Sequence, residues 1–269
     1  MAGDGKTTRV TVDVTGTNRT FYNALWSETR LTRPEKFNTW PLIAELLATS
    51  SARLEIGPGL RPRLPIAGTH FIDLSPAVVQ RLNASGGLAR QGTLTALPFE
   101  DASFDLVCAF DVIEHVEDDL AAFRELSRVL KHNGVLVFSV PLHADQWTEF
   151  DAFVGHVRRY DPSQLLVTLL EHRLIPEKSA LFGMQPKSPR LLALGVWMLT
   201  HKRSSALFWY NLFLPISILL QKRLTLCPGV PQADGMAEIL LVCRRGGGAP
   251  EGGGNVRELK RLIESSPEV

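Results

Sequence analysis

Apolar residues follow two alternating rhythms along this chain. Short unbroken runs alternate with stretches whose apolar positions fall three and four apart. The first rhythm marks strands covered on both faces, and the second marks amphipathic helices. Strands are predicted over 52–56, 69–73, 88–91, 104–110, 135–140, 175–182 and 237–243. Leu42, Ile43, Leu46 and Leu47 predict a helix opening at Pro41, where the fixed φ of proline suits a first turn. Ser75-Pro76 reads as N-cap and first turn of a second helix. A third is predicted over 117–130. Leu120, Phe123, Leu126, Val129 and Leu130 form its apolar stripe, acids open it, Arg128 and Lys131 close it, and Gly134 stops it. Asp161-Pro162 begins a fourth, running to about His172.

This alternation predicts an α/β fold: a doubly wound, mostly parallel seven-stranded sheet. Residues 183–230 break the rhythm. Two apolar segments, 191–200 and 206–221, flank His201-Lys202-Arg203 and read as a helical insertion before the last strand. The predicted organisation is an arm (1–20), one domain (21–245) and a Gly-rich linker with a short tail (246–269).

Lys plus Arg total 29 against 28 for Asp plus Glu, a formal charge of +1. That balance argues against a broad basic face, so no nucleic-acid partner is expected. The three cysteines are scattered, without metal-ligand spacing, and a reducing, cytoplasmic setting is the simplest expectation. Residues 1–20 are polar and show no export core. The apolar run 206–221 is short for a bilayer span and holds Pro215. Peripheral membrane contact through 191–221 remains a reading of that region, beside helical packing, an active-site cap or a dimer interface. Oligomeric state is not fixed by the sequence.

The sharpest chemical signal is Glu55-Ile56-Gly57-Pro58-Gly59, at the end of the first predicted strand. Glycines there let the backbone turn and approach a ligand at the carboxyl edge of a sheet. Asp73 ends the next strand, where a carboxylate can accept hydrogen bonds from ribose hydroxyls or can cap the helix behind it. A dinucleotide fingerprint needs a third glycine where this chain has Pro62, which disfavours a nicotinamide cofactor.

Four stretches resemble class I S-adenosylmethionine-dependent methyltransferases, in the small-molecule branch akin to ubiquinone-biosynthesis methyltransferases. ARLEIGPG is similar to the acidic Gly-x-Gly loop, and FIDLSP to the strand with the ribose acid. GTLTALPFEDASFDLV is similar to the adenine segment, and FDVIEHVEDDLAAFRELSRVLKHNGVLVFSVP to the run into the fifth strand. FNTWPL and GHVRRYDPSQL also look like variants within that branch. The chain departs from the pattern at Arg61, where a glycine is usual, and at Thr93, where an aspartate is usual.

The resemblance implies a Rossmann-like methyltransferase fold, S-adenosyl-L-methionine as cofactor, and a small-molecule acceptor, apolar if 183–230 shapes its pocket. It places Glu55, Gly57, Pro58 and Gly59 at the methionine end and Asp73 with Leu74 at the ribose. Thr93 and Leu94 fall beside the adenine, and Phe110 and Asp111 along the methionine chain. For the acceptor, His115, His143 and His156 are the candidate catalytic groups. A divalent metal on Asp111, Glu114 and His115, with His143, is an alternative, and the adopted reading assigns no metal. Arg158 and Arg159 could grip an anionic group or form a solvated turn. Tyr22, Trp26 and Trp40 could form a lid or simply core.

Overall fold

The computed structural model describes residues 29–183, 220–230 and 237–247, with single positions between 194 and 218. The arm 1–20, Tyr22, Trp26, residues 248–269 and most of the insertion lie outside the described residues.

The strands are β1 (Arg53–Ile56), β2 (His70–Asp73), β3 (Leu88–Gln91), β4 (Phe104–Phe110), β5 (Leu130–Pro141), β6 (Leu174–Leu181), β7 (Cys227–Pro228) and β8 (Glu238–Arg245). They form one sheet in the order β3-β2-β1-β4-β5-β8-β6-β7. The first five are parallel, and β8 runs antiparallel between β5 and β6. The sheet is thus eight-stranded rather than seven. The addition is the two-residue β7 on the outer edge, too short to leave a hydrophobic pattern. Five α-helices are described: α1 (Trp40–Leu47), α2 (Pro76–Ala84), α3 (Asp119–Val129), α4 (Glu149–Val154) and α5 (Pro162–Glu171).

Strand β4 shows why the sheet is covered on both sides. Val107 and Ala109 join one apolar cluster, with Phe123, Leu126, Phe138, Leu165 and Leu169 from α3, β5 and α5. Leu106, Cys108 and Phe110 point the other way and join Leu42 and Ile43 of α1, Val137 and Leu240. This period-two partition makes a continuous apolar run obligatory. Each large side chain so buried contributes about 1.5–3 kcal/mol.

Helix α3 ends at Val129, five residues before the stop read at Gly134. Leu130 pairs with Phe104 instead, and Asn133, at φ +62°, carries the turn. The β1–β2 connection, residues 57–69, holds no helix. Prolines at 58, 62 and 65 deny it the backbone donors a helix needs. No helix among the described residues is long and apolar enough to cross a membrane.

Candidate functional site

The strand order reverses between β1 and β4, and in open α/β sheets ligands bind at such a point, beyond the carboxyl ends of the strands. Gly57 follows β1 with φ +61°. A Cβ at Gly57 would sit 2.6 Å from Val112 Cγ2, so the loops after β1 and β4 abut where only glycine fits. Gly59 also has positive φ, +54°.

Two acids organise this loop from below. Glu55 is fully buried, and its carboxylate accepts the backbone N–H of Arg63 (2.8 and 3.0 Å) and Leu64 (2.9 Å). In place of the missing helix, a side chain gathers the donors. Burial pushes its pKa up to about 7, against those two hydrogen bonds. Asp73 accepts from Gly59 N at 3.0 Å through Oδ2 and from Ser75 N at 2.8 Å through Oδ1. Burial likewise pushes it up to about 6. Asp73 therefore turns the chain into α2, as one of its two sequence readings expects, and it also ties down the glycine loop.

The rest of the predicted cofactor set lies along the same edge. Pro58 is buried, Leu74 is exposed beside Asp73, and Leu94 is buried under a tight turn whose Thr93 faces outward. Phe110 closes β4 and sits 6.0 Å from Phe182, ring centre to ring centre. Asp111 adopts φ +54°. Its Oδ1 accepts from Ser139 Oγ at 2.5 Å, and its N–H donates to the same oxygen at 3.1 Å. Asp111 also hydrogen-bonds Glu238, which opens β8 opposite Pro141. Beneath this pair lies Arg63, its guanidinium 3.7 Å from the centre of the Phe37 ring. Burial, then Arg61, lowers the Arg63 pKa to about 10, while Asp111, Glu55 and Glu238 favour its charge.

His115 and His156 lie together, ring centres 4.7 Å apart and edge to face. His115 sits on the 3-10 turn Ile113–His115 directly after β4, with its Nδ1 3.1 Å from the Gly155 carbonyl. Burial, then His156, pushes its pKa down to about 4, so this ring is neutral at pH 7. His156 follows Gly155, the left-handed C-cap of α4, and its Nδ1 lies 2.8 Å from Asp151 Oδ1. Glu114 is buried at 1% exposure, 3.8 Å from His156 Nε2. Burial, then Asp111, raises its pKa well above the usual carboxylate range. His143 stands apart from this pair, after the end of β5, at φ +62°.

The two arginines after His156 turn inward. Arg159 is buried and holds Asp151 at 2.9 and 3.1 Å, and Arg158 pairs with Asp119 at 2.5 Å and with the Val116 carbonyl. The structure thus commits both to bracing the His156 loop. Trp40 opens α1 and packs on the core. Arg63, Ser139, Asp151 and Glu238 belong to the site and escaped the sequence reading. Asp151 alone left a local signal, the Thr148-x-x-Asp151 capping box that starts α4.

Residues 56–138 match the family described as a methyltransferase domain. The uncharacterized methyltransferase YcgJ of Bacillus subtilis is 32% identical over 100 residues, 37% of this chain and 39% of that protein. A malonyl-acyl-carrier-protein O-methyltransferase of Herminiimonas arsenicoxydans is 39% identical over 88 residues, 33% of each. The aligned region thus spans only about a third to two fifths of these curated relatives. Among solved structures, a SAM-dependent methyltransferase of Thermotoga maritima superposes with TM-score 0.51 at 15% identity, over 79% of this chain and 91% of that one. A likeness at that identity is one of fold.

Proposed function

We propose that this chain, a class I S-adenosylmethionine-dependent methyltransferase by its sheet and its residues 56–138, transfers a methyl group to a small-molecule acceptor by in-line displacement. The observation that carries the reading is the Gly57–Asp73 constellation at the point where the strand order reverses.

The residues present fit the cofactor. A carboxylate offers about four lone-pair positions. The backbone amides of Gly59 and Ser75 take one on each oxygen of Asp73, which leaves acceptor capacity for ribose hydroxyls. Gly57 brings the loop against Val112, where no Cβ fits, and keeps its own backbone bare for the cofactor. Pro58 and Gly59 continue that cradle, Leu74, Thr93 and Leu94 flank the adenine position, and Phe110 and Asp111 line the methionine side. Glu55 acts one layer deeper, holding the loop through Arg63 and Leu64 rather than touching the cofactor.

When bound, the cofactor supplies a sulfonium methyl group as electrophile. The chain supplies position and dryness. His143, which follows the end of β5, is the residue we assign to accept the acceptor's proton. His115 and His156 are held by Gly155 and Asp151 and keep the floor of the acceptor side in place.

The acceptor carries an apolar portion in this reading. Support comes from the exposed Leu194, Trp197, Trp209, Leu212 and Phe213, between β6 and β8 in the chain. Peripheral membrane contact rests on the same residues, and flotation with anionic liposomes tests it. All three cysteines are free thiols, which supports a reducing compartment.

Calorimetry with S-adenosylmethionine and S-adenosylhomocysteine tests the whole reading. Binding of both is expected. Asp73→Ala should weaken it about 10- to 150-fold, since hydrogen bonds to charged groups contribute about 1.5–3 kcal/mol. No binding by the wild-type chain overturns the proposal.

A further inference from the structure

We propose that Glu114, His115 and His156 form a binding site for one divalent transition-metal ion. Each offers a ligand atom, and these atoms lie within 4.8 Å of one another. The closest measured pair, Glu114 Oε1 and His156 Nε2, is 3.8 Å apart. Bonds of about 2.0–2.2 Å in a tetrahedral site put ligands roughly 3.3–3.5 Å apart. Small side-chain movements close that gap.

Both imidazoles have their tautomer set for ligation. A carbonyl oxygen only accepts, so His115 Nδ1 donates to Gly155 O at 3.1 Å. His156 Nδ1 donates to the Asp151 carboxylate at 2.8 Å. With Nδ1 as the donor in each ring, Nε2 is the nitrogen that would carry the ligating lone pair. A histidine fixed through one nitrogen by a carbonyl or carboxylate is the usual outer shell of a metal ligand. Here both rings have it, from Asp151 in the first turn of α4 and Gly155 at its C-cap.

Glu114 is the second, independent sign. It is 1% exposed, and its Oε2 has no hydrogen-bond partner. A buried carboxylate oxygen left unpaired costs free energy that a cation would recover. The surrounding charges agree. Arg159 neutralises Asp151 at 2.9 Å. Asp111 faces both Glu114 and His115 without an ion-pair partner of its own among the described salt bridges. The pocket offers two nitrogen ligands and one oxygen ligand. That donor set suits zinc, manganese, cobalt or nickel, whereas magnesium and calcium prefer all-oxygen shells. Three protein ligands leave a coordination position open at the carboxyl edge of the sheet.

The site can be tested without cofactor, so its failure and failure of the methyl-transfer reading are separate results. The purified full chain, stripped with chelator, is titrated with Co²⁺ and followed by its visible d–d absorption, then displaced with Zn²⁺. One equivalent is expected to bind. Glu114→Gln and His156→Gln should each weaken binding by about 100-fold or more, the upper end of what outer-shell changes alone produce, with unchanged circular dichroism. Should either variant misfold, electron spin-echo spectra of the Cu²⁺-loaded wild type decide, with two imidazole nitrogens expected. Absence of saturable Co²⁺ binding, equal binding in both folded variants, or fewer than two imidazoles overturns the proposal.

Discussion

Replacing Asp151 by asparagine removes one negative charge from a fully enclosed knot. The Asp151 carboxylate accepts Thr148 N and Oγ1 at 2.7 Å, His156 Nδ1 at 2.8 Å, and Arg159 at 2.9 and 3.1 Å. Asparagine keeps one acceptor oxygen and turns an amide toward donors. Arg159, 7% exposed, then keeps its charge with no anion to match it. Removing one partner of a buried pair costs about 3–5 kcal/mol, a large part of the roughly 5–15 kcal/mol that holds a domain folded. Urea denaturation of Asp151→Asn, Arg159→Met and the double variant measures this. Each single change should cost about 3–5 kcal/mol. The double variant should be more stable than the sum of the two predicts, by about 0.5–3 kcal/mol, because it removes the stranded charge. A single-variant loss below about 1 kcal/mol, or strict additivity, would falsify the reasoning.

Other changes probe the cofactor loop. Gly57→Ala meets both the left-handed backbone, about 1–2 kcal/mol, and overpacking against Val112, about 1–3 kcal/mol. The midpoint of chemical denaturation should fall accordingly, and an unshifted midpoint refutes the close approach. For Glu55, the folded-state pKa of about 7 lies above its ordinary 4.5. The native chain then holds a proton that the unfolded chain has lost, so stability falls as pH rises between those values, by roughly 3 kcal/mol. Glu55→Gln should lack that slope, and parallel profiles for the two proteins argue against it. Ser139→Ala removes the hydroxyl that both donates to and accepts from Asp111, at about 1 kcal/mol. Cofactor affinity should drop about fivefold by calorimetry, and unchanged affinity detaches Asp111 from the methionine side.

Legibility in the sequence followed distance along the chain. Strand β4 was plain because both its faces are buried, which forces the five consecutive apolar residues Leu106–Phe110. Strand β5 was read late because Lys131, His132 and Asn133, which follow its first residue Leu130, carry no apolar mark. The Gly57 loop and Asp73 sit in one βαβ-length segment, so local spacing exposed them. Arg63, Glu238 and Asp111 meet only after the sheet has closed, across more than a hundred residues, and no local pattern announces such a meeting. His115 and His156 were each visible as titratable side chains, but their contact depends on α4 ending in a left-handed glycine.

Strand β8 runs against its neighbours, and this gives the insertion an unusual tether. The chain leaves β6 at Leu181 and re-enters β8 at Glu238, and the two strands are paired there, Leu181 with Ile239. Both roots of everything in between are pinned at the sheet's carboxyl edge, one strand spacing apart. Closing a loop on fixed roots costs only about 0.6 kcal/mol for each doubling of its length. Apart from β7 and the residues 218–230 that pack or hydrogen-bond against the rest, that segment can therefore be lengthened, shortened or rewritten at little cost to the sheet. A change of acceptor could evolve there while the cofactor edge, built from β1, β2 and β4, stays as it is.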